Sequence, residues 1–419
     1  MAERPGTARS PGWRGRSGWA FSAFRESAGG SRMRGATLAV GSPSVMKRPG
    51  RRSMLGASAI PLVALFGLAA CAPAPQVAAG APVRTEASAS PEAQSATTDR
   101  ETLTGRARIL ADVPHLSPLL RTEGARRFLE STAVLPRVTP RTLFHDTDRK
   151  RYFTASEAAE LPAGEREALQ RREIDEEFYY TTRYGTPLSY ARPLDLLFSR
   201  GLRLPQRARI LDFGYGYSGH LRMLAALGHE VTGVDVDPLL RALYAQASDQ
   251  GAVRGVDGAE GRFRLLHGRF PAEVDVVKEV GDGYDLILSK NVLKKGYIHP
   301  DRPAEERHLI RLGVPDEAVL AAFFRALRPS GQMLVYNICP APSPPDKPFV
   351  PWSDGRSPFT RAQWEAAGFR VIAFDEDDTE TMRTVGQALG WDRGEDAMDL
   401  VHDLSVLFTW VERPATSGG

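Results

Sequence analysis

Three glycines and two aspartates form the most informative group of residues in the chain. Gly214, Gly216 and Gly219 have the spacing G-x-G-x-x-G, with Asp212 just before them and Asp235 further along the chain. Glycines let a ligand approach the backbone closely, and a helix that follows them presents N–H groups to an anionic group. A carboxylate about 20 residues further on can accept hydrogen bonds from ribose hydroxyls. The spacing therefore predicts a nucleoside-binding turn.

The residues around these glycines predict a β-α-β unit. Residues 208–213 form a short apolar run typical of a buried parallel strand, and residues 230–236 form a second one. Between them, apolar residues recur with helical spacing from Ser218 until Gly228. Open α/β sheets bind their ligands at the carboxyl ends of such strands. The alternative, a strand–turn–helix connection that binds nothing, stays open at this point.

Asp212 bears on which nucleotide the turn would bind. A dinucleotide places its pyrophosphate against this turn, where a carboxylate would repel it. S-adenosyl-L-methionine has no phosphate and brings an ammonium and a sulfonium, which an acid favours. The stretch Asp212 to Ser218, DFGYGYS, resembles the motif D/E-x-G-x-G-x-G of the class I S-adenosylmethionine-dependent methyltransferases. Ser218 replaces the third glycine, and Gly219 follows it.

The resemblance covers roughly residues 178–411 and implies both a fold and an activity. It implies an α/β, Rossmann-like, seven-stranded methyltransferase sheet, mostly parallel with the last strand antiparallel. Helices would cover both faces, and a helical extension would precede the sheet. The implied cofactor is S-adenosylmethionine, and the implied reaction is methyl transfer to a small-molecule acceptor.

The resemblance also implies further cofactor contacts. Val236 follows the ribose-binding acid, and Ser289 lies near the end of the fourth strand. Tyr180 and Arg183 belong to an aromatic segment that would close over the cofactor, with Arg183 pairing the methionyl carboxylate. Simple packing of this segment onto the sheet is the alternative. Relatives often have an acid where this chain has Arg269, so the adenine contact departs from the pattern.

The loop after the fourth strand, residues 290–299, should face the cofactor turn and hold the acceptor. A hydroxyl or ammonium nucleophile needs a base, and Lys290, Tyr297 and His299 are the candidates. Each could instead be a surface residue. Together with residues 178–190, this loop is expected to form the acceptor side of the pocket.

Composition narrows the range of partners. The chain is 42% apolar and 25% charged, as in ordinary globular proteins. Its net charge of +3 conceals a basic beginning, because residues 1–53 carry eleven Lys or Arg and two Glu. The remaining chain is mildly acidic, which argues against nucleic acid as a partner. No His, Cys or carboxylate spacing suggests a metal site, and two cysteines imply no disulfide framework.

Residues 46–71 have the pattern of a bacterial signal peptide. Basic residues precede an apolar run that ends in Leu-Ala-Ala-Cys71, which resembles a lipobox. Cys71 would then be lipidated, and the protein would be anchored in the cell envelope, in contact with the membrane only through its lipid. Cytoplasmic location is the alternative if the signal is not used. Because S-adenosylmethionine is made in the cytoplasm, an exported protein that only binds, without turnover, is the rival function.

The chain therefore divides into six predicted parts. They are a disordered segment or mis-called start (1–45), a signal peptide (46–71), a flexible linker (72–100), a helical N-terminal region (101–177), a methyltransferase-like domain (178–411) and a disordered tail (412–419).

Overall fold

An eight-stranded mixed sheet forms the centre of the chain in the computed structural model, which describes residues 100, 102–181, 185–394 and 397–415. A small three-stranded sheet precedes it. The strands are β1 (Arg141–Asp146), β2 (Arg151–Thr154), β3 (Gln170–Ile174), β4 (Arg209–Phe213), β5 (Glu230–Asp235), β6 (Gly251–Arg254), β7 (Glu260–His267), β8 (Tyr284–Lys290), β9 (Leu327–Cys339), β10 (Arg370–Asp377) and β11 (Ser405–Glu412).

The strand order of the large sheet is β10-β11-β9-β8-β4-β5-β7-β6. Strands β4, β5, β7, β8 and β9 run parallel, and β11 lies antiparallel between β9 and β10. This confirms the predicted α/β sheet with its last strand antiparallel. The predicted count of seven strands was wrong, because β6 adds an eighth strand, antiparallel to β7. A tight connection through Gly255 and Gly258 joins this pair, and so short a hairpin gives little periodic signal.

Helices cover both faces of the large sheet. The helices of the described residues are α1 (Gly105–Leu116), α2 (Glu123–Glu130), α3 (Ala155–Ala159), α4 (Ala163–Glu167), α5 (Glu176–Tyr180), α6 (Ala191–Ser199), α7 (Gly219–Ala226), α8 (Pro238–Leu243), α9 (Val274–Val280), α10 (Lys295–Ile298), α11 (Asp316–Ala326), α12 (Arg361–Ala366) and α13 (Thr379–Ala388), of which α3 packs on the small sheet. Side chains alternate between the faces along each strand, so there are two cores. Ile210 and Leu286 pack in one core, and Leu211 and Ile287 in the other.

The N-terminal region is mixed rather than helical, which corrects the prediction for residues 101–177. Its strands form an antiparallel sheet in the order β2-β1-β3. Within this predicted helical region, α4 ends at Glu167 and Gln170–Ile174 pair with β1. The sequence QRREI has helix-forming residues, so pairing with a neighbouring strand overrides local preference here.

The structure describes most of the C-terminal end of the chain but little of the first hundred residues. The predicted signal peptide, Cys71 and all but the last residue of the linker lie outside the described residues. At the other end, β11 includes Glu412, and the Arg413 guanidinium donates to the carbonyl oxygens of Phe324 and Leu327. Among the described helices, none has the length and apolar character needed to cross a membrane.

Candidate functional site

The glycine turn between β4 and α7 has the left-handed backbone that its sequence requires. Gly214 has φ +74° and Gly216 has φ +61°, values that other residues adopt with strain. A Cβ on Gly214 would lie 2.3 Å from Cγ2 of Val292, in the loop after β8. A Cβ on Gly216 would have no atom within 4 Å. Gly214 is therefore needed for packing, whereas Gly216 leaves open space beside the turn.

Asp235 lies at the end of β5 with its carboxylate against this turn. Its Oδ2 accepts from the Gly216 N–H at 3.0 Å and its Oδ1 accepts from the Asp237 N–H at 2.9 Å. Burial raises the pKa of Asp235 to about 6, although these amide hydrogen bonds lower it. Each oxygen keeps a second lone pair, so the carboxylate can accept two more hydrogen bonds. Val236, the next residue, is 53% exposed.

The amides of the turn are largely used within the protein. The Gly214 N–H donates to the Val234 carbonyl, and the Gly216 N–H donates to Asp235. The Ser218 N–H donates to the Tyr244 hydroxyl at 3.1 Å, so this part of the helix start is already capped. A pyrophosphate would need these donors. The geometry therefore agrees with the argument from Asp212 against a dinucleotide.

A second group of polar side chains, here called the crevice cluster, lies at the carboxyl ends of β4 and β8. It consists of Tyr190, Asp212, His220 and Lys290. The Asp212 Oδ2 is 2.5 Å from the His220 Nε2, and the Asp212 Oδ1 has no hydrogen-bond partner among the described residues. The His220 ring stacks on Tyr190 with centroids 3.7 Å apart, and the Lys290 Nζ lies 4.8 Å from the Tyr190 ring centroid.

Burial controls the protonation of the crevice cluster. It lowers the pKa of His220, although Asp212 opposes the change, so a neutral imidazole that donates to Asp212 is favoured at neutral pH. Burial also lowers the pKa of Lys290 to about 8, again opposed by Asp212. Burial, and then the Asp212 carboxylate, raise the pKa of Tyr190 well above its usual value. Lys290 is therefore the group of this cluster that can exchange a proton near neutral pH.

Sequence reasoning included Tyr190 only as the end of the segment 178–190 and missed His220. One signal for His220 was present, because it lies in the first turn of α7, directly after Gly219. A cation is unfavourable at a helix N-terminus, so a histidine there suggests a nearby acid. Tyr190 ends the aromatic segment that the sequence placed on the acceptor side, and its contacts with His220 and Lys290 join three separate elements.

The structure separates the three candidate bases. Lys290 ends β8 beside Asp212, whereas Tyr297 is buried in the core on the opposite face. His299 is on the surface and pairs with Asp316 at 2.9 Å. The intervening loop is covered by a later segment, since a Cβ on Gly296 would lie 2.0 Å from the Pro351 carbonyl oxygen. Only Lys290 of the three therefore lies at the crevice.

Ser289 does not join the crevice cluster. It is adjacent to Lys290 in β8, so its side chain points to the opposite face of the sheet. Its register partner in β9 is Val335, which belongs to the core on that face. The Ser289 hydroxyl is buried and has no hydrogen-bond partner among the described residues.

Tyr180 lies near the turn but serves as packing. Its ring is 3.3 Å from the position of a Cβ on Gly219, and its hydroxyl donates to the Pro136 carbonyl at 2.6 Å. The ring is 1% exposed, so it offers no surface to a ligand. This favours the packing alternative for Tyr180. Arg183, its predicted companion, lies outside the described residues.

The adenine end of the predicted site has an acid that the sequence pattern did not indicate. Arg269 packs on Gly313, with its Cδ 2.9 Å from a Cβ placed there. The acid is Glu273, whose side chain lies against Gly268, with its Oε2 2.7 Å from a Cβ placed on that glycine. Within the described parts of the chain, no group of three or more His, Cys, Asp or Glu could hold a metal ion.

Comparison with known proteins finds only distant similarity to solved structures. No protein-family model and no curated protein matches the chain. A Galdieria sulphuraria structure assigned as a sarcosine dimethylglycine methyltransferase is 14% identical, with TM-score 0.32, over 55% of this chain and 86% of that one. Haemonchus contortus phosphoethanolamine N-methyltransferase 2, solved with S-adenosylhomocysteine, is 14% identical, with TM-score 0.35, over 59% of this chain and 62% of that one. A geranyl diphosphate methyltransferase is 14% identical, with TM-score 0.31, over 54% of this chain and 79% of that one. At these values the similarities assign no activity to this chain.

Proposed function

We propose that the chain binds S-adenosylmethionine at the glycine turn and catalyses methyl transfer to a small-molecule acceptor. The main support for this proposal is that two acids with unused hydrogen-bond acceptors lie at a glycine turn that has open space beside it. The buried Asp212 Oδ1 has no hydrogen-bond partner among the described residues and would meet an ammonium if the crevice opens, and Asp235 keeps lone pairs for a ribose diol. Gly216, whose N–H donates to Asp235, has open space at its Cβ position. A nucleoside with an amino-acid tail fits this arrangement.

The base of the nucleoside would lie beyond Asp235, over the ends of β5 and β7. Asp235 and His267 are register partners, so Val236 and Gly268 follow them side by side. Val236 offers an exposed apolar surface there, and Glu273 is the nearby carboxylate. This end of the site is therefore open, with an apolar face and a hydrogen-bond acceptor.

Bound S-adenosylmethionine would supply an electrophilic methyl group, and the protein would position the acceptor and limit water. Asp212 would hold the ammonium, so that the reacting centre lies near the end of β8. Lys290 is the base available at that point, because its pKa of about 8 leaves part of the amine neutral near pH 7. His220 would orient Asp212 through its hydrogen bond.

Calorimetric titration with S-adenosylhomocysteine tests this proposal, with NAD as a negative control. Asp235→Ala should weaken binding by about 1.5–3 kcal/mol, the range for hydrogen bonds to a charged group. Asp275→Ala is the matched control, since Asp275 is an exposed aspartate of α9 that pairs only with Lys278 on the surface. Equal affinity in the wild type and Asp235→Ala would contradict the assignment.

The rival function is a binding protein that keeps the nucleoside site without turnover. The predicted export signal supports it, because S-adenosylmethionine is made in the cytoplasm. Release of S-adenosylhomocysteine from S-adenosylmethionine in the presence of an extract of small metabolites separates the two. Tight binding without any release would support the rival.

A further inference from the structure

We propose that the acceptor binds as an anion at Lys290 and belongs to the class of acidic hydroxyl compounds, such as phenols and enols. This inference rests on the proposed function and names the substrate class of the same site. It starts from the environment of the Lys290 amine, which differs from that of the other two lysines nearby.

Lys290 is an unpaired cation at a reactive position. Among the residues that the structure describes, its amine makes no hydrogen bond or ion pair, and its one recorded contact is the Tyr190 ring. Lys294 is fully buried and donates to the Ile338 carbonyl at 2.9 Å, and Lys295 pairs with Asp301 at 2.8 Å. Lys290 also stays partly exposed, so that a ligand can reach it.

The groups that face Lys290 leave it without a full counter-charge. Asp212 on β4 is the nearest acid, but His220 on α7 already occupies one of its oxygens. Lys294, in the loop after β8, adds positive charge, and the Tyr190 hydroxyl stays protonated. A cofactor ammonium on the free Asp212 oxygen would remove the remaining attraction. An anionic acceptor would then be stabilised at Lys290, and an ammonium acceptor would be repelled.

The proton balance of this arrangement is simple. The acidic hydroxyl gives its proton to the neutral Lys290 amine, which leaves an ammonium beside an oxygen anion. The electron pair left on that oxygen is the nucleophile that methyl transfer needs. Lowering of the Lys290 pKa by burial keeps the neutral amine accessible near physiological pH, and so supports this role.

Three probes with the same ring and different charge test the proposal. They are 4-nitrophenol, 4-nitroanisole and 4-nitrobenzylamine, each added to the protein saturated with S-adenosylhomocysteine. Nitrophenolate should bind most tightly, and its absorbance should show a bound pKa lower than in water by roughly one unit. In Lys290→Met, nitrophenolate affinity should fall roughly tenfold or more, and the absorbance shift should disappear.

Lys295→Met is the matched control, because Lys295 lies in the same loop but is paired with Asp301. It should bind nitrophenolate as the wild type does. Thermal unfolding and retained S-adenosylhomocysteine binding verify that Lys290→Met is folded, and Lys290→Arg should restore part of the affinity. If S-adenosylhomocysteine fails to bind the wild type, the proposed function itself is overturned. If it binds but nitrophenolate shows no preference, or Lys290→Met keeps the preference, only this inference is overturned.

Discussion

The two acids of the crevice, Asp212 and Asp235, owe their different roles to their partners. Asp212 is fixed by the His220 imidazole, whereas Asp235 is fixed by the backbone amides of Gly216 and Asp237. An imidazole can turn away or exchange its proton, but a backbone amide cannot. Asp235 is therefore a rigid acceptor, and Asp212 is an acceptor whose environment can change when a ligand arrives.

The raised pKa of Asp235 predicts opposite pH trends for binding and stability. Ribose hydroxyls need the ionised carboxylate, so S-adenosylhomocysteine affinity should fall as pH decreases through about 6. The pKa of Asp235 in the folded protein also exceeds the unfolded value of 3.8, so proton binding to Asp235 stabilises the ligand-free fold at low pH. That contribution to the free energy of unfolding is lost as pH rises through about 6. Titration calorimetry and thermal unfolding between pH 5 and pH 8 measure both trends.

Asp235→Asn provides the check on that prediction. It removes the titrating group, so the melting temperature of the ligand-free variant should vary less between pH 4 and pH 8 than that of the wild type, and its NH2 group cannot accept from one of the two backbone amides that Asp235 binds. Its remaining affinity for S-adenosylhomocysteine should be low and nearly independent of pH between 5 and 7. A variant that keeps the wild-type pH dependence of affinity would assign that dependence to another group.

The sequence could predict residues that act through local spacing, and not those that act through assembly. Asp212, Gly216 and Asp235 follow from a motif whose spacing is set by one β-α-β unit. Lys290 was a candidate base and Tyr190 ended the segment 178–190, but their direct contact arises because the turn before α6 lies over the end of β8. That contact depends on packing of distant elements, which no local pattern encodes.

At the scale of elements, the turn between β4 and α7 is held by the loop after β8. Both Gly214 and Gly216 need a left-handed backbone, but only Gly214 has a neighbour at the Cβ position. Gly214→Ala should therefore combine backbone strain with a clash against Val292 and lower the melting temperature clearly. Gly216→Ala should cost only the backbone term, about 1–2 kcal/mol.

This pair of variants separates folding from binding. The added methyl of Gly216→Ala points into the open space that the ligand would occupy, so S-adenosylhomocysteine affinity should drop more than stability does. Thermal unfolding and titration calorimetry on both variants give the comparison. A Gly216→Ala protein with wild-type affinity would show that the open side of the turn is not the binding surface.

The predicted order of elements held wherever hydrophobic periodicity was strong. The parallel strands of the large sheet are apolar runs, and their order follows from the α/β architecture. The misses are β6 and the small sheet of β1, β2 and β3, whose strands are short and partly polar. In β3, the exposed Arg171 and the half-buried Arg172 pair with β1 only because the tertiary fold brings the two strands together.

For the whole molecule, ion pairs join the N-terminal region to the large sheet domain. Arg141 makes a bidentate pair with Asp249, and Arg241 pairs with Glu157 at 2.7 Å. The described residues cluster as one compact unit in which these pairs lie. The N-terminal region is thus part of the same folded body as the sheet, and it would be carried with that body if the chain were exported.

We propose that Cys71 is lipidated and that the protein is anchored in the cell envelope. The support is the order of a basic segment, an apolar run and Leu-Ala-Ala-Cys in residues 46–71. A single acyl chain gives only marginal membrane binding, whereas the several chains of a lipoprotein anchor stably. A fully folded body could bring a bound nucleoside with it, and the Arg-Arg pair at residues 51–52 resembles a signal for export of folded cargo.

Fractionation of cells that express the full chain tests this proposal. The protein should be found with membranes, with Cys71 as its modified first residue, and mass spectrometry should detect no peptide from residues 54–70 in it. Cys71→Ala should release the protein from the membrane fraction or leave the unprocessed chain. Arg51→Lys combined with Arg52→Lys should reduce export only if the folded-cargo route is used. Recovery of the wild-type protein with residues 54–70 intact in the soluble fraction would place it in the cytoplasm, where S-adenosylmethionine is directly supplied.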